Sequence, residues 1–188
     1  MKQNAYDFDK TIYKSDSNID FYFFCIKKQP AIILEMPVVL AYAFLYLLKL
    51  CSKTTFKEKF FRFFRYLDSV DVLLEEFWDS HQRKIAPFYL AVHEPDDIII
   101  SASPEFLLQP ICERLNIKHL IGSRVNKHTG QHDGENCWGE EKARRFKREM
   151  PGVPIKNFYS DSLSDAPMAR IAETAYLVNK DKITLWPT

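Results

Sequence analysis

From residue 96 onward, short apolar runs alternate with stretches of helical character, and few architectures satisfy that alternation. Ile98-Ile99-Ile100 is a continuous apolar run closed by Ser101, the pattern of a strand buried on both faces. Pro104 suits the first turn of a helix reaching about Leu115. His119-Leu120-Ile121 reads as a second strand, Glu140 to Met150 as a helix, and Ile155 to Tyr159 as a third strand. Thr174 to Val178 and Ile183 to Trp186 follow as further short strands. One isolated run, Asn4 to Phe8, precedes all of these. Strands that alternate with helices predict an α/β protein: a parallel sheet between two helical layers.

Between the first run and the rest, the texture is helical. From Ile12 to about Leu90 there is no strand-like alternation, and the first glycine of the chain is Gly122. Ile19, Tyr22, Phe23 and Ile26 recur at helix spacing, followed by Thr54 to Leu67 and Ser69 to Ile85. The expected organisation is a core built from residues 1–14 and 91–188, with residues 15–90 inserted as an all-helical cap. Met36 to Leu48 carries no charge across 13 residues. That is short of the roughly 20 a spanning helix needs, and Pro37 interrupts any longer version, so a buried or interfacial helix is expected.

Composition narrows the functional classes. With 46% hydrophobic and 27% charged residues in 188, the chain is globular, not disordered or low-complexity. A net charge of +1 argues against a nucleic-acid-binding surface covering the domain. Cys25, Cys51, Cys112 and Cys137 form no C-x-x-C pair and read as reduced thiols. Residues 1–9 hold two aspartates where a signal peptide needs an apolar stretch, which predicts a cytoplasmic protein.

In an open parallel sheet the ligand lies beyond the carboxyl ends of the strands. The polar residues there are Asp7, Asp9 and Thr11, then Ser101 and Ser103, then Asp161, Ser162 and Asp165. Lys142 stands in the first turn of the helix after the Gly122–Asn136 loop. Each acid alone is as well explained as a turn former or a helix cap. Together, acids, hydroxyls and one lysine at one sheet edge suit Mg²⁺ and a phosphate.

These residues resemble the haloacid dehalogenase superfamily of phosphohydrolases. Asp7-Phe8-Asp9-Lys10-Thr11 is similar to its D-x-D-x-T motif, and Ile99 to Ser103 to its apolar strand closed by a hydroxyl. Gly139 to Lys142 matches its lysine motif, and Tyr159 to Asp165 its D-x-x-x-D motif. Lys10 departs from the glycine or serine many members carry. A helical insertion after the first motif is typical of the branch containing phosphoserine phosphatase, so the resemblance implies a Rossmann-like core with that cap. It implies a phosphomonoester hydrolase with Asp7 as nucleophile and Asp9 as acid and then base. Mg²⁺ would be held by Asp7, Asp161 and the Asp9 carbonyl. Ser101, Lys142 and, more weakly, Thr11 would hold the phosphoryl group, with Asp165 and Ser162 supporting from behind. A receiver domain shares Asp, hydroxyl and Lys but has no such insertion, and a non-enzymatic phosphate-binding module would normally lose the nucleophile or the lysine.

The cap sets the substrate. Lys53 to Arg65 interleaves five basic residues with Phe60, Phe61, Phe63 and Phe64, the composition of a solvated bundle face or a membrane-surface face. Phe21 to Leu50 resembles the insertion of C-type phosphatidylglycerophosphatases, which implies a phosphomonoester with an apolar tail, a lipid phosphate, and peripheral contact of the cap with a membrane. A small polar phosphoserine-like metabolite is the alternative. Asp16, Arg62 and Arg65 are the cap residues expected near substrate. His128, His132 and Cys137 have zinc-like spacing but an incomplete ligand set, so an ordinary loop is expected there.

Overall fold

The computed structural model describes residues 2–180 and 182–187. Six strands form one sheet in the order β3-β2-β1-β4-β5-β6, with β1 Gln3–Tyr6, β2 Ile98–Pro104, β3 His119–Ser123, β4 Ile155–Ser160, β5 Ala172–Asn179 and β6 Lys182–Leu185. The first five run parallel. Ala5 lies opposite Ile98 on one side and Phe158 on the other, so β1 is central and Asp7 is the first residue beyond its carboxyl end. The sixth strand departs from the expectation of a wholly parallel sheet: β6 returns antiparallel, Val178 opposite Ile183. A tight turn after Asn179, with Lys180 at φ 56°, reverses the chain, whereas a parallel return would need a crossover connection.

The period of two along each strand sorts the core into two layers. Ala5, Ile98, Ile100 and Phe158 pack on one face with Ile121 and Phe146 from α7 (Glu140–Glu149), beside α8 (Ala166–Ala169). Tyr6 and Ile99 face the other way, among Leu107, Leu108 and Ile111 of α6 (Glu105–Arg114). This is the three-layer Rossmann-like fold, and all the remaining helices enter between β1 and β2.

The inserted helices are α1 (Ser17–Lys28), α2 (Met36–Leu47), α3 (Lys53–Phe60), α4 (Val70–His81) and α5 (Pro87–Val92), with 3₁₀ turns at Pro30–Glu35, Phe61–Tyr66 and Gln82–Lys84. Their interior is aromatic. Phe21, Phe63, Phe64 and Phe77 bury their rings together, and the Trp78 indole donates to the Leu107 carbonyl at 2.8 Å, fastening the insertion to α6. In α1 the buried stripe is Asn18, Phe21, Tyr22 and Cys25. Ile19 and Phe23 of the expected stripe are exposed, because the Asp16 cap turns the Ser17–Asn18 edge toward the sheet.

The uncharged stretch, expected to be buried or interfacial, forms α2. Pro30 to Leu47 is an 18-residue helical stretch of mean hydropathy 1.9, long and apolar enough by composition to cross a membrane. It is not buried: Val39 is the one buried residue in α2, while Phe44 is 61% and Leu47 77% exposed.

The chain passes between sheet and insertion twice, and the two passages are bonded to each other. The Lys14 amide donates to the Lys84 carbonyl at 2.9 Å, and the Ala86 amide to the Ile12 carbonyl at 2.7 Å. The Tyr13 hydroxyl and Lys84 ammonium both bond Asp20, at 2.6 and 2.8 Å.

Candidate functional site

A cavity of about 200 Å³ opens at the carboxyl end of the central strands. Asp7, Asp9, Ser101, Lys142, Asp161, Ser162 and Asp165 line it from the sheet side. Four separate chain segments thus meet there, in the order the alternation of strands and helices required.

Lys142 is its electrostatic centre. The side chain is almost fully buried, with Nζ 2.8 Å from Asp7 Oδ1 and 2.7 Å from Asp165 Oδ2. Gly139, at φ 58°, begins α7 and sets Lys142 in its first turn, aimed back at β1. Asp165 also accepts from Ser160 at 2.8 Å, and its Oδ1 is buried without a partner. Burial pushes the Asp7 carboxyl up to about 7; Lys142 opposes this, and the nearby Asp165 and Asp161 add to it. Burial raises Asp161 as well.

Asp9 is held at both oxygens. Oδ1 accepts from the Ser17 amide at 2.6 Å, and Oδ2 from the Ser103 hydroxyl at 2.5 Å. Ser103 accepts in turn from Asn18 Nδ2 at 2.6 Å. Burial and then the neighbouring Asp16 push Asp9 up to about 6, against those hydrogen bonds. A carboxyl poised there can give a proton and take one back near neutrality. Ser101 Oγ accepts from the Ser103 amide at 3.1 Å, which leaves its own O–H to donate into the cavity.

Thr11 is placed differently from the expectation of a phosphate contact. Its hydroxyl accepts from the Asp161 amide at 2.9 Å, tying the loop after β1 to the loop after β4, and it lies outside the cavity lining. Ser162 bonds Ser164 at 2.9 Å and caps the turn that delivers Asp165. Asp16 lines the cavity, as expected of a residue near substrate, and also accepts from the Asn18 and Ile19 amides at the start of α1.

Arg62 and Arg65 do not reach the cavity. Arg62 pairs with buried Glu35 at 3.2 Å, and Arg65 is exposed. The insertion's cations that do line it are Lys53 and Lys57, one turn apart on α3. Lys57 Nζ donates to the Ala102 carbonyl at 2.6 Å and to Asn136 Oδ1 at 3.1 Å. Lys53 Nζ sits 4.2 Å from the centre of the Trp138 ring. Their i, i+4 spacing on one face of α3 is the sequence signal that pairs them.

Nor do the apolar segments reach the cavity. Ala102 and Trp138 supply its apolar lining; Phe61, Phe63 and Phe64 are core, and α2 faces outward. Within this cavity an apolar tail would meet only Ala102 and Trp138. His128 is exposed, His132 is buried with neither ring nitrogen bonded, and Cys137 is a buried free thiol. Among the described residues no three His, Cys, Asp or Glu side chains form a preformed metal cage, there or at the sheet edge.

The sheet edge nevertheless fits Mg²⁺. Its donors are hard carboxylate oxygens: Asp7 and Asp165 flank Lys142, Asp161 stands near Asp7, and Asp165 Oδ1 is buried without a partner. Mg²⁺ takes one or two carboxylates and completes its shell with water and phosphate oxygens.

A parallel α/β sheet with a paired aspartate and lysine at its carboxyl edge, roofed by a helical insertion, defines a class of hydrolase. The family model for haloacid dehalogenase-like hydrolases matches residues 5–170, and the chain belongs to that family. It is 33% identical over 94 residues to a probable phosphatase of Mycobacterium tuberculosis H37Rv, covering 46% of this chain and 33% of that protein. It is 28% identical over 98 residues to the histidinol-phosphatase of Neisseria meningitidis serogroup C, covering 46% and 44%. The matches thus span a third to under a half of those relatives. Among solved structures, a Bordetella pertussis protein of unknown function superposes with a TM-score of 0.72 at 20% identity, covering 90% of this chain and 86% of that one. A substrate-bound phosphoserine phosphatase superposes with a TM-score of 0.54 at 12% identity, covering 93% and 85%. At these identities the likeness is one of fold.

Proposed function

We propose that the protein is a Mg²⁺-dependent phosphomonoester hydrolase that works through a phosphorylated Asp7, with residues 15–90 acting as a cap over the site. The observation that carries this is Asp7 beside Lys142, with Asp9 held ready at both oxygens. Asp7 attacks phosphorus in line; the P–O bond to the leaving alcohol breaks, and the Asp9 carboxyl gives that oxygen its proton. Asp9, now a carboxylate, takes a proton from water as the water attacks phosphorus, releasing phosphate and restoring Asp7. Lys142 and Ser101 hold the phosphoryl oxygens. Asp7, Asp161 and the Asp9 carbonyl would hold the Mg²⁺, which when bound neutralises charge between two anionic reactants.

The polar lining favours a leaving group that is small and polar. A lipid phosphate whose chains stay outside the cavity is the second reading, favoured by the outward apolar face of α2, which would meet a membrane surface.

The test is hydrolysis of p-nitrophenyl phosphate with Mg²⁺. Asp7→Asn should lower turnover at least ~10³-fold, and EDTA should abolish it reversibly. Near-normal turnover in Asp7→Asn would overturn the assignment. Co-sedimentation with anionic vesicles tests the membrane reading, and recovery of all protein in the supernatant would remove it.

A further inference from the structure

Two lysines of the insertion roof the cavity. Elsewhere in the insertion, Lys28 pairs with Glu76, Arg62 with Glu35 and Lys84 with Asp20, while Lys59 rests on the Tyr42 ring. Among the described residues no carboxylate is paired with Lys53 or Lys57, although both line the cavity. An ammonium carries three N–H donors. Lys57 spends two, on Ala102 and Asn136, and the third is unspent. Lys53 sits over the face of Trp138 and has no hydrogen bond among the described residues. The aspartates of the cavity, Asp16 among them, attract both ammoniums from a distance, but among the described residues none pairs with either, so two cations stand in a partly desolvated site without a direct anionic partner.

We propose that Lys53 and Lys57 form a subsite for a second oxyanion carried by the leaving group, a carboxylate or phosphate a few bonds from the phosphoryl group. The proposal rests on the phosphomonoesterase reading and names its substrate class. The cavity divides to match. Lys142, Ser101 and the aspartates form its floor, while Lys53, Lys57 and Trp138 form a roof supplied mainly by α3. Its volume of about 200 Å³ is that of roughly seven waters, enough for a phosphate and a three-carbon acid. Burial and the neighbouring Lys53 pull the Lys57 ammonium down to about 8, against Asp9 and Asp16, and a bound anion would oppose that fall. The competing explanation is mechanical: the lysines merely latch the insertion to Ala102, Asn136 and Trp138. A latch does not distinguish an anionic from a neutral leaving group.

The experiment compares kcat/KM for 3-phosphoglycerate and glycerol 3-phosphate, which differ by a carboxylate in place of a hydroxymethyl group. O-phosphoethanolamine is included for a cation facing Asp16. Wild type should favour 3-phosphoglycerate about tenfold to a hundredfold, the range of one or two charge-assisted hydrogen bonds. Lys53→Met and Lys57→Met should each reduce that ratio to within about threefold, and Lys57→Arg should keep part of it. If Lys57→Met does not fold, Lys53→Met and Lys57→Arg carry the comparison. The same variants on phosphatidylglycerophosphate in vesicles tell a lipid phosphodiester from a soluble oxyanion as the source: the arm with the selective loss names it. No selective loss in either arm, or fastest turnover of O-phosphoethanolamine, overturns the proposal. Calorimetric binding of 3-phosphonopropionate against propylphosphonate, with Mg²⁺ present, is independent of turnover. If no phosphomonoester is hydrolysed yet 3-phosphonopropionate binds tighter and Lys53→Met removes the difference, the hydrolase reading fails and the subsite stands. Equal or undetectable binding of both phosphonates sinks the subsite.

Discussion

The sheet and the helical insertion use apolar residues by opposite rules. In the sheet, a run such as Ile98-Ile99-Ile100 is buried to the last atom, alternate residues serving alternate faces. In the insertion, α2 is the most apolar helix of the chain, yet only Val39 is buried, and Leu40, Phe44 and Leu47 stand exposed. Its neighbours are less apolar, yet Phe21, Phe63, Phe64 and Phe77 are sealed. Hydrophobicity therefore predicts burial only where the backbone has no other choice. A central strand is covered on both sides by geometry, whereas a helix on the rim of a small insertion is covered only if something packs on it.

The widest test of that contrast is in the sheet's own chemistry. Asp9→Asn should cost ~10²- to 10⁴-fold in steady-state rate with little change in Tm, because the site is held by many other bonds. With a good leaving group, rapid-quench trapping should recover more phosphorylated enzyme than in wild type, since the second step suffers most. In the insertion the cost shifts from rate to stability. Phe77→Ala should lose ~3–5 kcal/mol by denaturant unfolding, the usual loss for a sealed ring. Gly130→Ala comes next: at φ 75° a Cβ would also overlap the Phe61 carbonyl, where the β3–α7 loop meets the insertion. A loss of ~2–4 kcal/mol is expected.

His132 gives a pH-dependent measure of the same contact. Burial, then Lys57 and Arg145, lowers its pKa from 6.5 to about 4, while Glu58 opposes. The unfolded chain takes up the proton first, so stability should be intact above pH 6.5 and fall as pH drops toward 4. The loss attributable to this group is at most ~3 kcal/mol. His132→Phe should flatten that part of the acid limb, and an unchanged limb would mean the imidazole is not sealed. The smallest effect is expected on α2: Phe44→Ser should change unfolding free energy by less than ~0.5 kcal/mol. A loss of 2 kcal/mol or more would mean that the face is covered in solution and break the contrast.

The sheet was legible for a local reason. Its strands are short runs closed by polar residues, so the ends that carry Asp7, Ser101 and Asp161 can be counted from the chain. The insertion was legible only as helical. After Phe60 the α-helix tightens into a 3₁₀ turn of three residues per turn. Phe61 and Phe64 then fall in one buried column, and Arg62 and Arg65 in another that faces away from the cavity. A reading at 3.6 residues per turn does not separate those columns. Ser103 was visible at the end of its strand, but that its hydroxyl grips Asp9 follows from a contact between residues 94 positions apart. Lys53 and Lys57 depend likewise on α3 folding back over β2, which no local pattern encodes.

The paired passages at Ile12–Lys14 and Lys84–Ala86 limit how the insertion moves as well as where it sits. Two independent tethers would let a lid tilt, slide and twist. A laddered ribbon, braced at Asp20 by Tyr13 and Lys84, resists stretching and shear and leaves bending as its soft coordinate. An opening of roof from floor would then follow a single arc, like the leaves of a book on one spine. A ligand that touches both would set the angle of that book.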